Sequence, residues 1–247
     1  MEHHNQTILL TGRRGVGKTT VCQAVVEMAR RRGYRPGGVI TPALHACPEL
    51  VLSRACPEQG RRVEGQGRRA CPEPALSRAC PELVLSEVEG QSRRACPEQS
   101  RRDSHGAKIG FEAVDVGSGE RWPLARTDHE LGGPRVGPYS LDPAALARAL
   151  KVLRRAATAE TGATVPCDLF MLDEIGPLEL EQGEGFAPIL DLLPFEGPTH
   201  TLIVVRPALL DQLRLHLRDT ECTVFNVTEA NRDELPLRIV EELWGYG

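Results

Sequence analysis

Short apolar runs alternate with longer segments of helical periodicity along most of this chain. Consecutive apolar or β-branched residues are typical of buried strands, whereas apolar residues three and four positions apart are typical of amphipathic helices. Strands are predicted at 7–10, 38–41, 169–172, 201–205 and 223–227, and helices at 20–32, 143–158, 186–193, 207–217 and a last segment ending near Trp244. This alternation predicts an α/β fold, in which helices cover both faces of a mostly parallel, twisted sheet.

The segment before the second predicted helix has a different pattern. Two apolar runs at 109–114 and 120–125 flank Gly117-Ser118-Gly119 and are predicted to form a hairpin. Glycine and proline then dominate 131–139, which is predicted to be a loop. Asp142 and Pro143 supply an N-cap and a first-turn proline for the helix that follows.

Residues 46–102 interrupt these patterns with a repeat. The tetrad Ala-Cys-Pro-Glu occurs five times, with Arg pairs, Glu, Gln and Gly between the copies and no aromatic residue. The small apolar surface of this low-complexity insertion cannot offset the entropy cost of ordering the chain. The insertion is therefore predicted to be disordered. Its cysteines show no metal-ligand spacing. One folded domain is therefore expected from 1–45 and 103–247.

Charge and composition limit the function classes. The net charge is −4, and outside the insertion it is −6, which argues against a broad nucleic-acid-binding surface. We find no apolar run of transmembrane length and no signal-peptide pattern, so a cytoplasmic protein without a membrane partner is expected. Cys22, Cys167 and Cys222 are accordingly expected to be reduced, and the chain to be a monomer.

The strongest chemical signal is the segment Gly12–Thr19, which completes the phosphate-binding pattern G-x-x-x-x-G-K-[ST]. A glycine-rich turn between a strand and a helix can direct backbone N–H groups and the helix dipole at phosphate oxygens. Lys18 is then expected to reach the β- and γ-phosphates of a nucleoside triphosphate. The residues predicted to bind nucleotide are Gly12, Arg13, Arg14, Gly15, Val16, Gly17, Lys18, Thr19 and Thr20.

A second signal is the acidic pair Asp173-Glu174, which ends the predicted strand at 169–172. Ligands of parallel sheets collect beyond the carboxyl ends of the strands, where the glycine-rich loop also lies. Asp173 and Thr19 are predicted to hold Mg²⁺, and Glu174 to activate the attacking water, with Lys18 as the second catalytic residue. The simpler alternative is a pair of solvated acids at a strand end.

Several motifs together resemble the cancer-related (thermophile-type) nucleoside-triphosphatase family. They are Leu172-Asp173-Glu174-Ile175-Gly176-Pro177-Leu178-Glu179, Val224-Phe225-Asn226-Val227-Thr228 with Asn231-Arg232, Gly110-Phe111 and Gly137-Pro138-Tyr139. The resemblance covers nearly all of the chain outside the insertion. It implies a single P-loop NTPase domain and Mg²⁺-dependent hydrolysis of ATP, GTP, CTP and other triphosphates, with little preference for the base. Slow turnover is expected from a departure of this chain from the family.

The chain departs from the family at one place. The family usually has a Glu-x-Arg segment after the second strand, where this chain has Pro42-Ala43-Leu44-His45. P-loop hydrolysis without a well-placed arginine runs at only about 10⁻⁴ s⁻¹. The alternative sources of a catalytic arginine are Arg13, Arg14, Arg126, Arg206 and Arg232.

Two further alternatives stay open. Asn226, Thr228 and Asn231 follow the last predicted strand, and they either contact the base or ribose or cap the last helix. The other alternative concerns the activity, since a small nucleotide or nucleoside kinase, or a regulatory module that binds nucleotide without turnover, would use the same phosphate loop.

Overall fold

The strand that leads into the glycine-rich loop lies inside the sheet, with a parallel neighbour on each side. The computed structural model describes residues 5–46, 107–158, 167–195, 197–218 and 220–245. Within these ranges the strands are β1 (Gln6–Gly12), β2 (Pro36–Ile40), β3 (Ala43–His45), β4 (Lys108–Asp115), β5 (Arg121–Arg126), β6 (Arg135–Val136), β7 (Tyr139–Leu141), β8 (Leu169–Ile175), β9 (His200–Val205) and β10 (Cys222–Val227).

The helices connect these strands. They are α1 (Lys18–Arg31), α2 (Pro143–Ala157), α3 (Pro177–Leu180), α4 (Ala187–Leu190), α5 (Leu210–Leu217) and α6 (Leu235–Trp244), with a 3-10 turn at Pro207–Leu209 ahead of α5. No helix in the described part of the chain combines the length and apolar character needed to cross a membrane. Cys22, Cys167 and Cys222 are free thiols, as the sequence predicts.

One mixed sheet contains all of these strands, in the order β10-β1-β9-β8-β2-β4-β5-β7-β6, with β3 beside β4. The five strands from β10 to β2 are parallel, and the remainder extend the sheet in antiparallel fashion. The hairpin of β4 and β5 is the one predicted from the sequence. The antiparallel extension therefore adjoins β2, on the side of the sheet away from β10.

Alternate side chains of β1 enter two separate cores. Ile8 and Leu10 pack in the cluster that contains buried residues of α1 and α6, whereas Leu9 packs with those of α2 and α5. Helices thus cover both faces of the sheet, and the predicted α/β fold is confirmed. Asp142 caps α2 as predicted, since its carboxylate accepts hydrogen bonds from the backbone N–H groups of Ala144 and Ala145 at 2.8 and 3.1 Å.

Three element predictions were wrong in part. The segment 131–139, predicted as loop, contains β6 and the first residue of β7, which pair across a tight turn at Gly137. The helix predicted at 186–193 is limited to the single turn α4, because the chain leaves the helical path after Leu190. No strand is predicted between the one at 38–41 and the insertion, whereas β3 forms there and pairs with β4.

Nearly all of the segment 46–102, for which disorder is predicted, lies outside the described residues. The structure describes the two points where the chain enters and leaves this region. The Ala46 backbone N–H donates a hydrogen bond of 2.9 Å to the Ala107 carbonyl, next to the pair of His45 and Lys108 in β3 and β4. The segment 47–106 therefore starts and ends at one position, the tip of a hairpin.

Candidate active site

The glycine-rich loop follows β1 and ends where α1 begins at Lys18. Gly12 has a φ of +148°, and a side chain there would bring its Cβ within 2.6 Å of the Val227 carbonyl of β10. Gly17 also has a positive φ, of +103°, at the N-cap of α1. The loop therefore requires glycine at both positions, first for the close approach to β10 and then for the entry into the helix.

Lys18 is almost entirely buried in this loop. Its Nζ donates to the carbonyl oxygens of Gly12 and Arg13, at 3.0 and 3.3 Å, and lies 3.5 Å from Oε1 of Glu174. The ammonium group thus lies beside the loop that precedes it and also contacts the acidic pair. This is the position from which a lysine can contact phosphates bound in the loop.

Thr19 and Asp173 meet although they are far apart in the sequence. Thr19 Oγ1 donates a hydrogen bond of 2.8 Å to Asp173 Oδ2. Asp173 Oδ2 also accepts a hydrogen bond from the backbone N–H of Thr41, at 3.2 Å. The Thr41 hydroxyl donates to the Asp173 carbonyl at 2.8 Å. Burial raises the pKa of the Asp173 carboxyl, and the hydrogen bonds from Thr19 and Thr41 oppose this effect.

The oxygens of Thr19 and Asp173 suit a hard cation. Mg²⁺ prefers oxygen ligands, and in phosphate-binding sites it takes one or two of them from the protein and the others from water and substrate. In the described ranges no group of three or more His, Cys, Asp or Glu residues forms a metal site supplied by the protein alone. The residues therefore fit a magnesium ion bound together with phosphate better than a closed protein site.

Glu174 faces a cavity of about 410 Å³ that Lys18, Thr19, Thr20 and Asp173 also line. Its side chain is 32% exposed, in contrast to that of the buried Asp173. The two acids thus differ in environment, one buried against Thr19 and the other open to the cavity.

Arg206 is the arginine that reaches Glu174. It directly follows β9, the neighbour of β8, and its Nε lies 3.8 Å from Glu174 Oε1. Gly176 leaves room for it, because a Cβ at Gly176 would lie 3.4 Å from that Nε. Arg206 reaches Glu174 because β8 and β9 are parallel neighbours and end at the same edge of the sheet.

The other candidate arginines form no ion pair with Glu174 in the described part of the chain. Arg126 is paired with Asp128 through two hydrogen bonds of 2.8 Å, and it holds the pKa of that carboxyl well below its usual range. The Nε of Arg232 lies 3.6 Å from Oδ1 of Asp233, and its Cδ lies beside the phosphate loop, 3.4 Å from the position that a Cβ on Gly17 would occupy. Arg14 lines the cavity that holds Glu174, and both Arg13 and Arg14 line a neighbouring cavity of about 490 Å³ beside β10.

Two residues of the cavity were not singled out from the sequence. Lys108, the first residue of β4, has its Nζ 3.8 Å from the ring centroid of Phe111, and partial burial together with Arg14 lowers the pKa of its ammonium group. Thr41, described above, is the other. Thr41 follows β2, the neighbour of β8, and Lys108 begins β4, the neighbour of β2, so only knowledge of the sheet order would have pointed to them.

The residues after β10 form a closed turn. Asn231 Oδ1 accepts from the Thr228 backbone N–H at 2.8 Å, and the Thr228 hydroxyl accepts from the Asn231 backbone N–H at 3.3 Å. Asn231 also donates through its side-chain amide to the Asn226 carbonyl, at 2.9 Å. Because α6 begins only at Leu235, Thr228 and Asn231 close the turn that precedes the helix, and Asn226 and Thr228 line the cavity beside Arg13.

The chain is similar in sequence to known proteins. A family model described as NTPase matches residues 7–47 and 95–240. The nucleoside-triphosphatase THEP1 of Methanopyrus kandleri is 30% identical over 244 residues, which cover 97% of this chain and 95% of that protein. That of Hyperthermus butylicus is 38% identical over 141 residues, 57% of this chain and 69% of that protein.

A solved structure agrees with this result at the level of the fold. The solution structure of a human cancer-related nucleoside triphosphatase superposes with a TM-score of 0.58 at 24% identity, covering 98% of this chain and 99% of that one. The P-loop fold predicted from the sequence is thereby confirmed. By its family match, and by the Methanopyrus relative that it matches over nearly its full length, the chain belongs to the nucleoside-triphosphatase family that its motifs resemble.

Proposed function

We propose that this protein hydrolyses nucleoside triphosphates to diphosphates and phosphate with the aid of Mg²⁺. The observation that carries the proposal is the convergence of Lys18, Thr19, Asp173 and Glu174 on one cavity at the carboxyl end of the parallel strands. Each of these side chains has a role in phosphoryl transfer. The fold brings Lys18 and Thr19 together with Asp173 and Glu174, although Thr19 and Asp173 are 154 positions apart in the sequence. Family membership supports the same activity.

Binding starts from the loop 12–17. Its backbone N–H groups and the N-terminus of α1 provide the partial positive charge that phosphate oxygens require. The Lys18 ammonium adds a full charge beside them. The side chains of Arg13 and Arg14 are exposed at the outer face of the loop, where they can contact the ribose and base or the phosphates.

Thr19 and Asp173 are the residues that would hold a magnesium ion. When bound, such an ion neutralises charge on the β- and γ-phosphates. The buried Asp173 carboxylate keeps the Thr19 hydroxyl oriented through their hydrogen bond, and Thr41 fixes the carboxylate from the side of β2. Thr41 is therefore a positioning residue for this pair.

Glu174 is suited to activate the nucleophile. Its carboxylate is open to the cavity and lies within 3.5 Å of Lys18, the group expected to contact the γ-phosphate. A water between Glu174 and that phosphate would transfer its proton to the carboxylate as its oxygen attacks phosphorus. Lys18 and Arg206 lie close enough to offset the negative charge that develops on the phosphate oxygens.

Turnover is proposed to be slow and not selective for the base. The segment that carries Glu-x-Arg in the family ends here in His45, which lines the cavity but has no permanent charge. Both ends of the Asn231 amide are engaged within its own turn, so this side chain is not available to distinguish ATP, GTP and CTP. The cytoplasmic location, the monomeric state and the absence of nucleic-acid partners stay predictions.

The test is phosphate release by the purified protein with ATP, GTP or CTP and Mg²⁺, compared with the Glu174→Gln variant. We expect the variant to lose at least about 100-fold in turnover, because general-base catalysis contributes this much or more. Nucleotide affinity should stay within a few-fold, since the loop and Lys18 are unchanged. A Glu174→Gln protein with wild-type turnover would contradict the role of Glu174, and a wild type that binds nucleotide without releasing phosphate would contradict the activity.

A further inference from the structure

A second, apolar cavity adjoins the phosphate cavity on the side of the antiparallel strands. Its volume is about 100 Å³, and its wall includes Phe111, Ala125, Tyr139, Leu141, Leu178 and Phe186. Four of these, Ala125, Tyr139, Leu141 and Leu178, form a buried cluster separate from the cores on the two faces of the sheet. The site thus has an apolar compartment of its own, built by the antiparallel extension and α3.

The two cavities share a polar boundary. Glu174, Arg206 and Thr41 line both of them. Glu174 is the residue to which the proposed function assigns activation of the nucleophile. The apolar compartment therefore opens at the position where a nucleophile would be deprotonated, on the side of the site away from α1.

Other polar groups around the compartment are already engaged. The Glu179 carboxylate is buried and accepts hydrogen bonds from the backbone N–H groups of Gly176 and Phe186, at 2.9 and 3.3 Å. The Thr41 hydroxyl is bonded to the Asp173 carbonyl. Glu174 and Arg206, together with the Tyr139 hydroxyl, are the groups at which a ligand of this compartment would find a hydrogen bond.

Water alone is a poor occupant of such a space. A buried water needs two to four polar partners, whereas an apolar cavity of about 150 Å³ stays dry and can bind a ring of six carbons. By the same scale this compartment accommodates roughly four to six heavy atoms. The matching ligand has a small apolar body and one hydroxyl group, with the hydroxyl at Glu174.

We propose that the compartment binds a small apolar alcohol as a phosphoryl acceptor, so that the site transfers phosphate to an alcohol as well as to water. The alcohol oxygen forms a bond to the γ-phosphorus, the bond from that phosphorus to the β,γ-bridging oxygen breaks, and the alcohol proton passes to Glu174. The products are a nucleoside diphosphate and a phosphate monoester. This inference rests on the proposed function, because it uses the same nucleotide and the same carboxylate.

The test measures both products by ³¹P NMR with Mg²⁺ and ATP, in the presence of 1-butanol or of equimolar glycerol. The two alcohols are similar in size, but glycerol is polar throughout. We expect the ratio of phosphate monoester to free phosphate to be at least about 10-fold higher with 1-butanol, since apolar pockets discriminate to this extent. No detectable butyl phosphate beside normal phosphate release, or equal transfer to both alcohols, overturns the inference.

Two variants test whether the compartment is responsible. Ala125→Leu fills it and should lower the butyl phosphate ratio at least about 10-fold, with phosphate release within about two-fold of wild type. Ala144→Leu, which adds the same atoms on the exposed side of α2, should change neither product. Leu178→Ala enlarges the space and should shift transfer from 1-butanol towards benzyl alcohol.

The outcomes separate the inference from the proposed function. Transfer that is unaffected by both Ala125→Leu and Leu178→Ala would overturn the assignment of the compartment while leaving hydrolysis intact. Absence of free phosphate and of monoester, with nucleotide bound, would instead overturn the proposed function and this inference with it.

Discussion

Arg206 lies beside Glu174 and close to the backbone at Gly176. Gly176 presents no side chain to the guanidinium group, and a Cβ there would lie 3.5 Å from Cζ of Arg206. Two backbone N–H groups fix the carboxylate of Glu179 nearby, and burial raises the pKa of that carboxyl. The guanidinium of Arg206 therefore lies at the cavity in a long ion pair with Glu174, at 3.8 Å, and it forms no closer ion pair among the described residues.

We predict that Arg206→Ala lowers the turnover number for phosphate release by roughly 1,000-fold, the lower limit for an arginine that stabilises the transition state. Arg206→Lys should recover part of this loss, because it restores the charge but not the fork of donors. The measurement is steady-state phosphate release, with the KM for ATP expected to change little.

Arg126→Ala is the matched control for Arg206→Ala. Its guanidinium is paired with Asp128, away from the cavity that holds Glu174, so turnover should stay within about two-fold. If instead Arg126→Ala abolished turnover and Arg206→Ala did not, the assignment of the catalytic arginine would be wrong.

Sequence alone identified the residues whose chemistry depends on short motifs. Lys18 and Thr19 belong to the loop pattern, and Asp173 and Glu174 end a recognisable apolar strand. Thr41 and Lys108 were missed because their proximity to the site arises from the neighbouring positions of β2, β4 and β8 in the sheet. Arg206 was one of five equivalent candidates for the same reason, since strand order, which distinguishes them, is not encoded in local periodicity.

Among the elements, α2 begins with the clearest sequence signal. Asp142 accepts two backbone hydrogen bonds at its N-terminus, Pro143 occupies the first turn, and the buried face of the helix packs on the sheet. α4 shows the opposite situation. Phe186, Ile189 and Leu190 have helical spacing and are buried, but their burial comes from tertiary packing, and one turn of helix suffices to achieve it.

We predict that Asp142→Ala lowers the free energy of unfolding by about 1 kcal/mol, because it removes the side-chain cap of α2. Asp142→Asn should retain most of the stability, since an asparagine oxygen accepts the same hydrogen bonds. Urea unfolding of the three proteins measures the difference. Equal loss in both variants would show that the charge of Asp142, and not its capping bonds, matters for stability.

In the molecule as a whole, the interruption by the repeat coincides with the tip of one hairpin. The family model matches residues 7–47 and 95–240. A backbone hydrogen bond joins Ala46 to Ala107, the two described residues that flank 47–106. A hairpin tip can accept additional chain at low cost, because the free energy of closing a loop grows only with the logarithm of its length.

We therefore predict that replacing 47–106 with Asn-Gly, a sequence suited to a two-residue turn, yields a folded protein with unchanged nucleotide affinity. The free energy of unfolding should increase by about 3 kcal/mol, owing to the shorter loop. Thermal unfolding and phosphate release are the measurements. A control that carries a Gly-Ser segment of the original length should match the unaltered protein, and a shortened protein that fails to fold would contradict the prediction.

The position of β1 inside the sheet affects how the protein moves. β1 is hydrogen-bonded to β10 on one side and β9 on the other, whereas β10 forms the edge of the sheet in the part of the chain that the structure describes. Amide hydrogens of an interior strand exchange with solvent only when a large cooperative unit opens, whereas edge strands open by local fluctuations. The phosphate loop therefore extends from a slowly exchanging part of the molecule, and its shape persists while the edges of the sheet open and close.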